Sequence, residues 1–459
     1  MKQIQIDTFL QFKFVSSPEF SPRGEEAAFV VQWADLEENT YKGDLYLLEV
    51  GSKKVRRLTG QGDGRSFTWT KDGKLLFQTK RTKQEKEKED TAVFYAIDPY
   101  GGEAVKAFEI PARVGRIQPI EEDLFLVSAT ENLGEPLKDR AVEIIDETPF
   151  WFNGRGFTQG LRGRLYTFRP STGELVPLTE PTFDAQGGKE KDGKVVFRGA
   201  PWEKGRKYDY SGIYLYDLET KETKCLVEPN LLPGYMVDFW TEGKLIFGAT
   251  PKGGNPGMDN DDYFTLDMAT GAIEKLCSYD YAIGSSVGSD ARLGGGKQTK
   301  MMGDKYYFVT TVNDGSYLRY MTSDGQVSEL LTPDGSLDAF DMTKDHLLTL
   351  GLYGNKLPEL YLDGEQVTHF NDDFEQEFDI RTPIYHEFTN KDGVVIHGFA
   401  MKPRGYEEAV AKAKEEGKEA SFPAILHIHG GPCTVFGSVY HHEMQMWANA
   451  GFYVIFCNP

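Results

Sequence analysis

Residues 44–59 read DLYLLEVGSKKVRRLT: a strand rich in Tyr and Leu, a short polar turn, and a second strand closing on a Leu-Thr pair. The unit recurs as VFYAIDPYGGEAVKAF (93–108), RLYTFRPSTGELVPLT (164–179) and GIYLYDLETKETKCLV (212–227). It returns as DYFTLDMATGAIEKLC (262–277), YLRYMTSDGQVSELLT (317–332) and a shortened ELYLDGEQVTHF (359–370). Gly-Glu, Thr-Gly or Asp-Gly in the turns supplies the positive φ that short hairpins need.

A second kind of strand, introduced by a polar turn, lies between the hairpins. Examples are SPRGEEAAFVV from Ser21, TKDGKLLFQT from Thr70, EKDGKVVFRG from Glu190 and TEGKLIFGAT from Thr241. GDKYYFVTT from Gly303 and TKDHLLTLG from Thr343 are looser copies. Each period holds about four strands over roughly 45 to 50 residues, the size of a propeller blade. Seven hairpins therefore predict a mainly β chain whose residues 17–375 form a seven-bladed β-propeller. One blade cannot bury both its faces alone, whereas a ring stacks each face on a neighbour.

The interval between the second and third hairpins is longer than the rest by roughly twenty residues and contains DETPFWFNGRGF, Asp146 to Phe157; long blade insertions map to loops on one face. It reads either as an insertion packing its aromatics on the rim, the preferred reading, or as a segment projecting into a substrate cavity. KQEKEKED, Lys83 to Asp90, mixes charges without an apolar face and reads as a solvated loop tip.

Composition narrows the function. Fifty-one basic against seventy-one acidic side chains leave a net charge of −20, which disfavours a phosphate backbone as partner. No uninterrupted apolar stretch approaches a membrane span, and the start, MKQIQIDTFLQFKF, lacks the apolar core of a signal peptide. Cys225, Cys277, Cys433 and Cys457 lie far apart, without a zinc-type spacing or a disulfide framework, which suits a reducing cytoplasm. The expectations are a cytoplasmic protein with no cofactor, no metal, no nucleic-acid partner and no membrane contact.

The pattern changes after residue 375. NDDFEQEFDI (371–380) reads as an acidic connector, and Tyr385 to Gly405 as two strands around an Asp392-Gly393 turn. YEEAVAKAKEEGKEA, Tyr406 to Ala420, reads as a surface helix with mostly polar faces. FPAILHIHGGP (422–432) is a short apolar strand running into paired glycines. HEMQMWANAGF (442–452) spaces Met444, Trp447 and Ala448 as a helix does and ends at Gly451, a C-cap residue. YVIFCNP reads as another short buried strand. Strand, loop, helix and strand in succession predict a parallel α/β sheet.

The chemistry centres on His429-Gly430-Gly431-Pro432, directly after the strand Ala424 to Ile428. In α/β-hydrolases the loop after the third strand supplies one backbone N–H of the oxyanion hole, where fixed donors stabilise the charge that acyl transfer builds. Glycine lets the main chain approach the substrate with no side chain between. A literal Gly-x-Ser-x-Gly, Gly284 to Gly288, lies earlier; its flanks offer neither the strand nor the helix of a nucleophile elbow, so it reads as coincidence. His427, His429, His441 and His442 lie close in sequence, yet no Asp or Cys completes a metal set, so they read as loop and packing residues.

With these residues in view, the chain resembles the prolyl oligopeptidase family of serine peptidases, in its acylaminoacyl-peptidase branch. The resemblance rests on the repeats, on FVSSPEFSPRG (14–24), and on Asp392, Gly393, Ile396, Gly398 and Pro403. It rests further on His427 to Pro432 and on Gly451, Phe452, Val454, Asn458 and Pro459, and it covers essentially the whole chain.

The resemblance implies a seven-bladed propeller followed by the first part of an α/β-hydrolase domain at 376–459, with residues 1–16 packing on that domain. It implies a serine peptidase for short or N-blocked oligopeptides, with the propeller gating access. Gly431 maps to the oxyanion donor, while His429, Gly430 and Pro432 shape the loop and His429 is not the triad histidine. Nucleophile, acid and base follow this loop in α/β-hydrolases, and the 27 residues after Pro432 contain no Gly-x-Ser-x-Gly. The expected partners are therefore short peptides and a missing C-terminal catalytic portion, with a homo-oligomer left open. A non-catalytic binding propeller and an esterase-type hydrolase are the alternatives. In a sheet ordered 1-2-4-3-5, the 424–428 strand is expected at an apolar edge beside an absent fifth strand.

Overall fold

A computed structural model of the chain describes residues 1–134, 145, 147, 150–153, 156–202, 210–234, 236–256, 258–430 and 434–458. The chain divides into two compact units, residues 67–280 and residues 1–66 with 281–459.

Within 67–280 the strands form four successive four-stranded antiparallel meanders. Their inner strands are apolar runs buried on both faces, such as Lys244–Ala249, whose Leu245 to Ala249 are all buried. Outer strands such as Ile273–Ser278 are exposed or half-buried. That gradient is what stacked sheets produce: inner strands are covered on both faces and the last strand meets water. Neighbouring meanders share cores, Leu126 and Leu165 packing with Val195 and Phe197, and Val196 and Leu215 with Leu245 and Phe247.

The third hairpin pairs with Leu124–Asn132, a strand that precedes the insertion and follows Arg113–Glu121. The long insertion thus sits inside one meander. Its described part is a two-stranded pairing of Trp151–Phe152 with Gly156–Phe157. The preferred expectation, aromatics packed down, is corrected for the described residues. Trp151, Phe152 and Phe157 are about half exposed, and Trp151 meets Phe157 edge-on at 5.0 Å. Asp146 and most of 135–149 lie outside the described residues.

The run 83–90 is also corrected. It opens with a one-turn helix, Lys83–Lys86, whose Glu85 is buried. Oε2 of Glu85 accepts from the amides of Arg81 (2.8 Å) and Thr82 (3.0 Å), and Oε1 accepts from the Tyr95 hydroxyl (3.1 Å). A buried carboxylate fully supplied with donors is an anchor, which charge pattern alone cannot distinguish from a solvated tip.

In the other unit, Phe14–Phe20, Glu26–Asp35, Thr40–Glu49 and Lys54–Arg57 form a four-stranded meander. The hairpins at 317–332 and 359–370 belong to two meanders joined into one eight-stranded sheet by a single parallel pair, Ser316 with Ser336. The shortest hairpin turns through Asp363 (φ 51°) and Gly364 (φ 84°), both left-handed as a two-residue loop requires. Phe29, Val31 and Leu48 share a core with Leu348, Leu360 and Leu362.

Residues 371–380 are more than an acidic connector. They form the short helix Asp372–Glu377, and Phe374 and Phe378 are buried with Ile4, Phe12 and Tyr440. The 406–420 helix ends earlier than expected, spanning Tyr406–Glu415 with no buried residue. Among the described residues no helix is long and apolar enough to cross a membrane.

Candidate active site

Four strands build the last sheet. Ile384–Thr389 and Val395–Met401 form an antiparallel hairpin around Gly393, whose φ is +82°. Val395–Met401 then pairs antiparallel with Tyr453–Asn458, which runs parallel to Ala424–His427. In chain order the arrangement is 1-2-4-3, and Ala424–His427 is an edge strand. The parallel pair exists because helix His442–Asn449 crosses between its strands, burying Met444 and Ala448 against Phe399, Val454 and Phe456. Tyr453–Asn458 is less buried than its sequence suggests, since Ile455 is 40% exposed. Leu426, in register with Ile455 on the edge strand, is 60% exposed, and Ile428, just past that strand, 77%.

From His427 the chain leaves the sheet through Ile428, His429 and Gly430. His429 Nδ1 lies 3.1 Å from the carbonyl oxygen of Gly430. Among the described residues a Cβ on Gly430 would meet nothing within 4 Å, so their packing does not demand glycine there. Open space is what close approach of another molecule to the main chain needs. Gly431 and Pro432, the other two expected loop positions, lie outside the described residues, as does Cys433.

The returning chain is organised by Phe436, which sequence reading did not single out. Its ring lies 4.9 Å from that of His427, 5.0 Å from His429, 5.9 Å from His441 and 5.5 Å from Phe456. A lone loop aromatic has no periodicity to reveal it. Asn458, quoted only as part of the closing Asn-Pro pair, holds the main chain of Phe436 through both side-chain amide atoms.

The histidines pack around this ring. His427 Nδ1 and His429 Nε2 are buried without a hydrogen-bond partner among the described residues. Burial lowers the pKa of His441, with neighbouring His427 adding to the effect and Asp290 opposing it. Among the described residues no three His, Cys, Asp or Glu side chains are placed to hold a metal ion. Gly284 to Gly288 lies in irregular chain with neither a strand before it nor a helix after it. Ser286 Oγ accepts from Arg292 at 3.3 Å, so it is not presented as a nucleophile elbow would present it.

Successive four-stranded antiparallel meanders are followed by a 1-2-4-3 sheet whose third strand runs into His429-Gly430. Comparison with known proteins places this fold among similar chains. No protein-family model matches the chain. The Bacillus subtilis (strain 168) protein named Uncharacterized peptidase YuxL is 25% identical over 482 residues, spanning all of this chain and 71% of that protein. The Pyrococcus horikoshii acylaminoacyl peptidase superposes with a TM-score of 0.77 at 21% identity, over all of this chain and 67% of that one. The β-propeller domain of the Trilobed protease from Pyrococcus furiosus matches 79% of this chain and 99% of its own, with a TM-score of 0.53 and 16% identity. The chain is thus similar in sequence to a peptidase and in fold to propeller-bearing peptidases, and it resembles the prolyl oligopeptidase family.

Proposed function

We propose that these residues are the propeller-bearing front part of a serine peptidase acting on short or N-blocked oligopeptides. In this reading residues 17–375 close into a seven-bladed propeller that gates access. Residues 376–459 open an α/β-hydrolase domain on which residues 1–16 pack. Gly431 donates its N–H to the oxyanion, and His429, Gly430 and Pro432 shape the loop. Serine, acid and base come from polypeptide other than these 459 residues and join along the Ala424–His427 edge. A cytoplasmic setting belongs to the same reading.

One observation carries it: an edge strand with Leu426 and Ile428 exposed runs parallel to its neighbour and ends at His429-Gly430. An unpaired parallel edge beside an apolar face left open at Leu426 and its in-register neighbour Ile455 is unfavourable in water and marks a place where further chain pairs and packs. The contacts of the first residues also support it. Ile4 N donates to Asn449 Oδ1 at 3.1 Å, and Phe12 packs edge-on against Tyr440 at 5.6 Å. The preference for blocked peptides draws on the likeness to an acylaminoacyl peptidase.

The test is hydrolysis by the product of the complete reading frame, offered N-acetyl-aminoacyl nitroanilides, free aminoacyl nitroanilides, aryl esters and a folded protein. Cleavage of the short blocked substrates, with the folded protein untouched, is expected. A product that cleaves esters alone, or nothing, overturns the reading.

A further inference from the structure

The segment 284–292, GSSVGSDAR, mimics a nucleophile elbow in sequence and does something else in the structure. One side of it is anchored to the neighbouring strands Lys305–Val312 and Gly315–Met321. Ser285 Oγ accepts from Thr311 N at 2.9 Å, and Val287 N donates to Ser316 Oγ at 2.8 Å. Arg292 pairs with Asp338, whose side chain is about 10% exposed.

Its other side grips residues 434–443. Gly288 N donates to the carbonyl of Val435 at 2.7 Å, and Ser289 Oγ donates to that of Tyr440 at 2.7 Å. Asp290 Oδ1 accepts from His442 N at 2.6 Å, and Oδ2 accepts from Glu443 N at 3.0 Å. Helix His442–Asn449 has no side-chain cap of its own, so Asp290, 152 residues upstream, caps it. A carboxylate at a helix N-terminus satisfies orphan amides and complements the positive end of the dipole. The fit is close, since a Cβ on Gly437 would lie 2.1 Å from the carbonyl oxygen of Asp314. Val287, fully buried, shares a core with Val439 and Tyr440.

We infer that residues 288–290 are a latch on the chain returning from the oxyanion loop, and that Asp290 is a positioning residue for the reaction. The inference rests on the peptidase reading above. Residues 434–440 are the described part of the chain that leads from Gly430 to the capped helix, so whatever holds both ends of that stretch bears on the loop that precedes it. Oxyanion donors must be placed in advance of the charge they stabilise.

Asp290→Ala, Asp290→Asn and Ser289→Ala are made in the complete polypeptide and compared by amide exchange at 434–443 and by kcat and KM on an N-acetyl-aminoacyl nitroanilide. Asp290→Ala is expected to speed exchange at His442 and Glu443. It should lower kcat at least about tenfold with KM nearly unchanged, within the ~10²-fold cost of a 1 Å misplacement. Asparagine keeps one acceptor but turns its NH2 toward the other amide, so its kcat should fall between those of wild type and alanine. If Asp290→Ala fails to fold, Ser289→Ala, which leaves the cap intact, is expected to show the same pattern more weakly. Unchanged exchange overturns the latch, and faster exchange with unchanged kcat overturns its positioning role. An asparagine variant as impaired as alanine overturns capping as the means. A wild type without hydrolysis sinks the peptidase reading and the positioning role with it, and exchange then decides the latch alone.

Discussion

The side chain of Asn458 exchanges two hydrogen bonds with the main chain of Phe436, Nδ2 donating to the carbonyl and Oδ1 accepting from the amide, each at 2.8 Å. The end of one strand is thereby tied to the chain that returns from the glycine loop. Only a primary amide offers one donor and one acceptor in this geometry. Asn458→Ala leaves both polar groups of a buried residue unpaired and should cost about 1–3 kcal/mol for each group that water fails to reach. Asn458→Asp sets a second oxygen against the Phe436 carbonyl and should cost at least as much. Denaturant midpoints of the complete polypeptide check both, and wild-type stability in either variant would contradict the tie.

Gly437 tests the closeness of the latch without removing a hydrogen-bonding group. Its added Cβ would lie 2.1 Å from the Asp314 carbonyl oxygen and 3.1 Å from Val287. Gly437→Ala should destabilise by about 1–3 kcal/mol, the usual cost of overpacking. Gly430→Ala meets open space and should leave the thermal midpoint unchanged.

Glu359 predicts a pH dependence. It is buried, Asn371 N donates to its Oε1 at 2.8 Å, and its Oε2 has no partner among the described residues. Burial pushes its pKa up to about 7, against the donors Thr368 and Asn371 and with the help of the Asp372 and Glu375 charges. Between the unfolded value of about 4.3 and that raised value, the folded state holds a proton the unfolded state has released, so stability falls as pH rises through this window. Glu359→Gln should remove that slope in melting curves taken from about pH 5 to about pH 8. A slope unchanged by the substitution would show that Glu359 is not its source.

Glu85 predicts the opposite sign. The amide of Thr82 leads, with the Arg81 amide, Lys106 and the Tyr95 hydroxyl behind it, in holding its carboxyl down at about 2. Its contribution is present above the unfolded value of about 4.3 and is lost as pH falls toward the folded one. Glu85→Gln should therefore flatten the acid limb of the stability profile and leave the Glu359 window intact. An acid limb as steep as wild type would contradict this.

The hairpins were legible because each carries its own signal, a Tyr- and Leu-rich run and a turn such as Asp363-Gly364. Leu124–Asn132 escaped because an insertion separates it from the hairpin it pairs with. Phe374 and Phe378 were hidden by the acidic residues around them, since two aromatics over one short turn make no readable period. At the site, His429-Gly430 could be found from an apolar strand running into glycine. The Asp290 cap could not, because a bond across 152 residues leaves no local trace. The same holds for Phe436, whose importance comes from the four rings around it.

In the proposed function, this chain brings its glycine loop to a nucleophile carried on other polypeptide. The most direct measurement is labelling by a serine-directed fluorophosphonate, applied in parallel to the product of the complete reading frame and to residues 1–459 alone. A labelled serine is expected in the complete product, at a residue outside these 459, and none in the shorter chain. Labelling of Ser286 or any other serine within residues 1–459, or a complete product that takes no label, would contradict it.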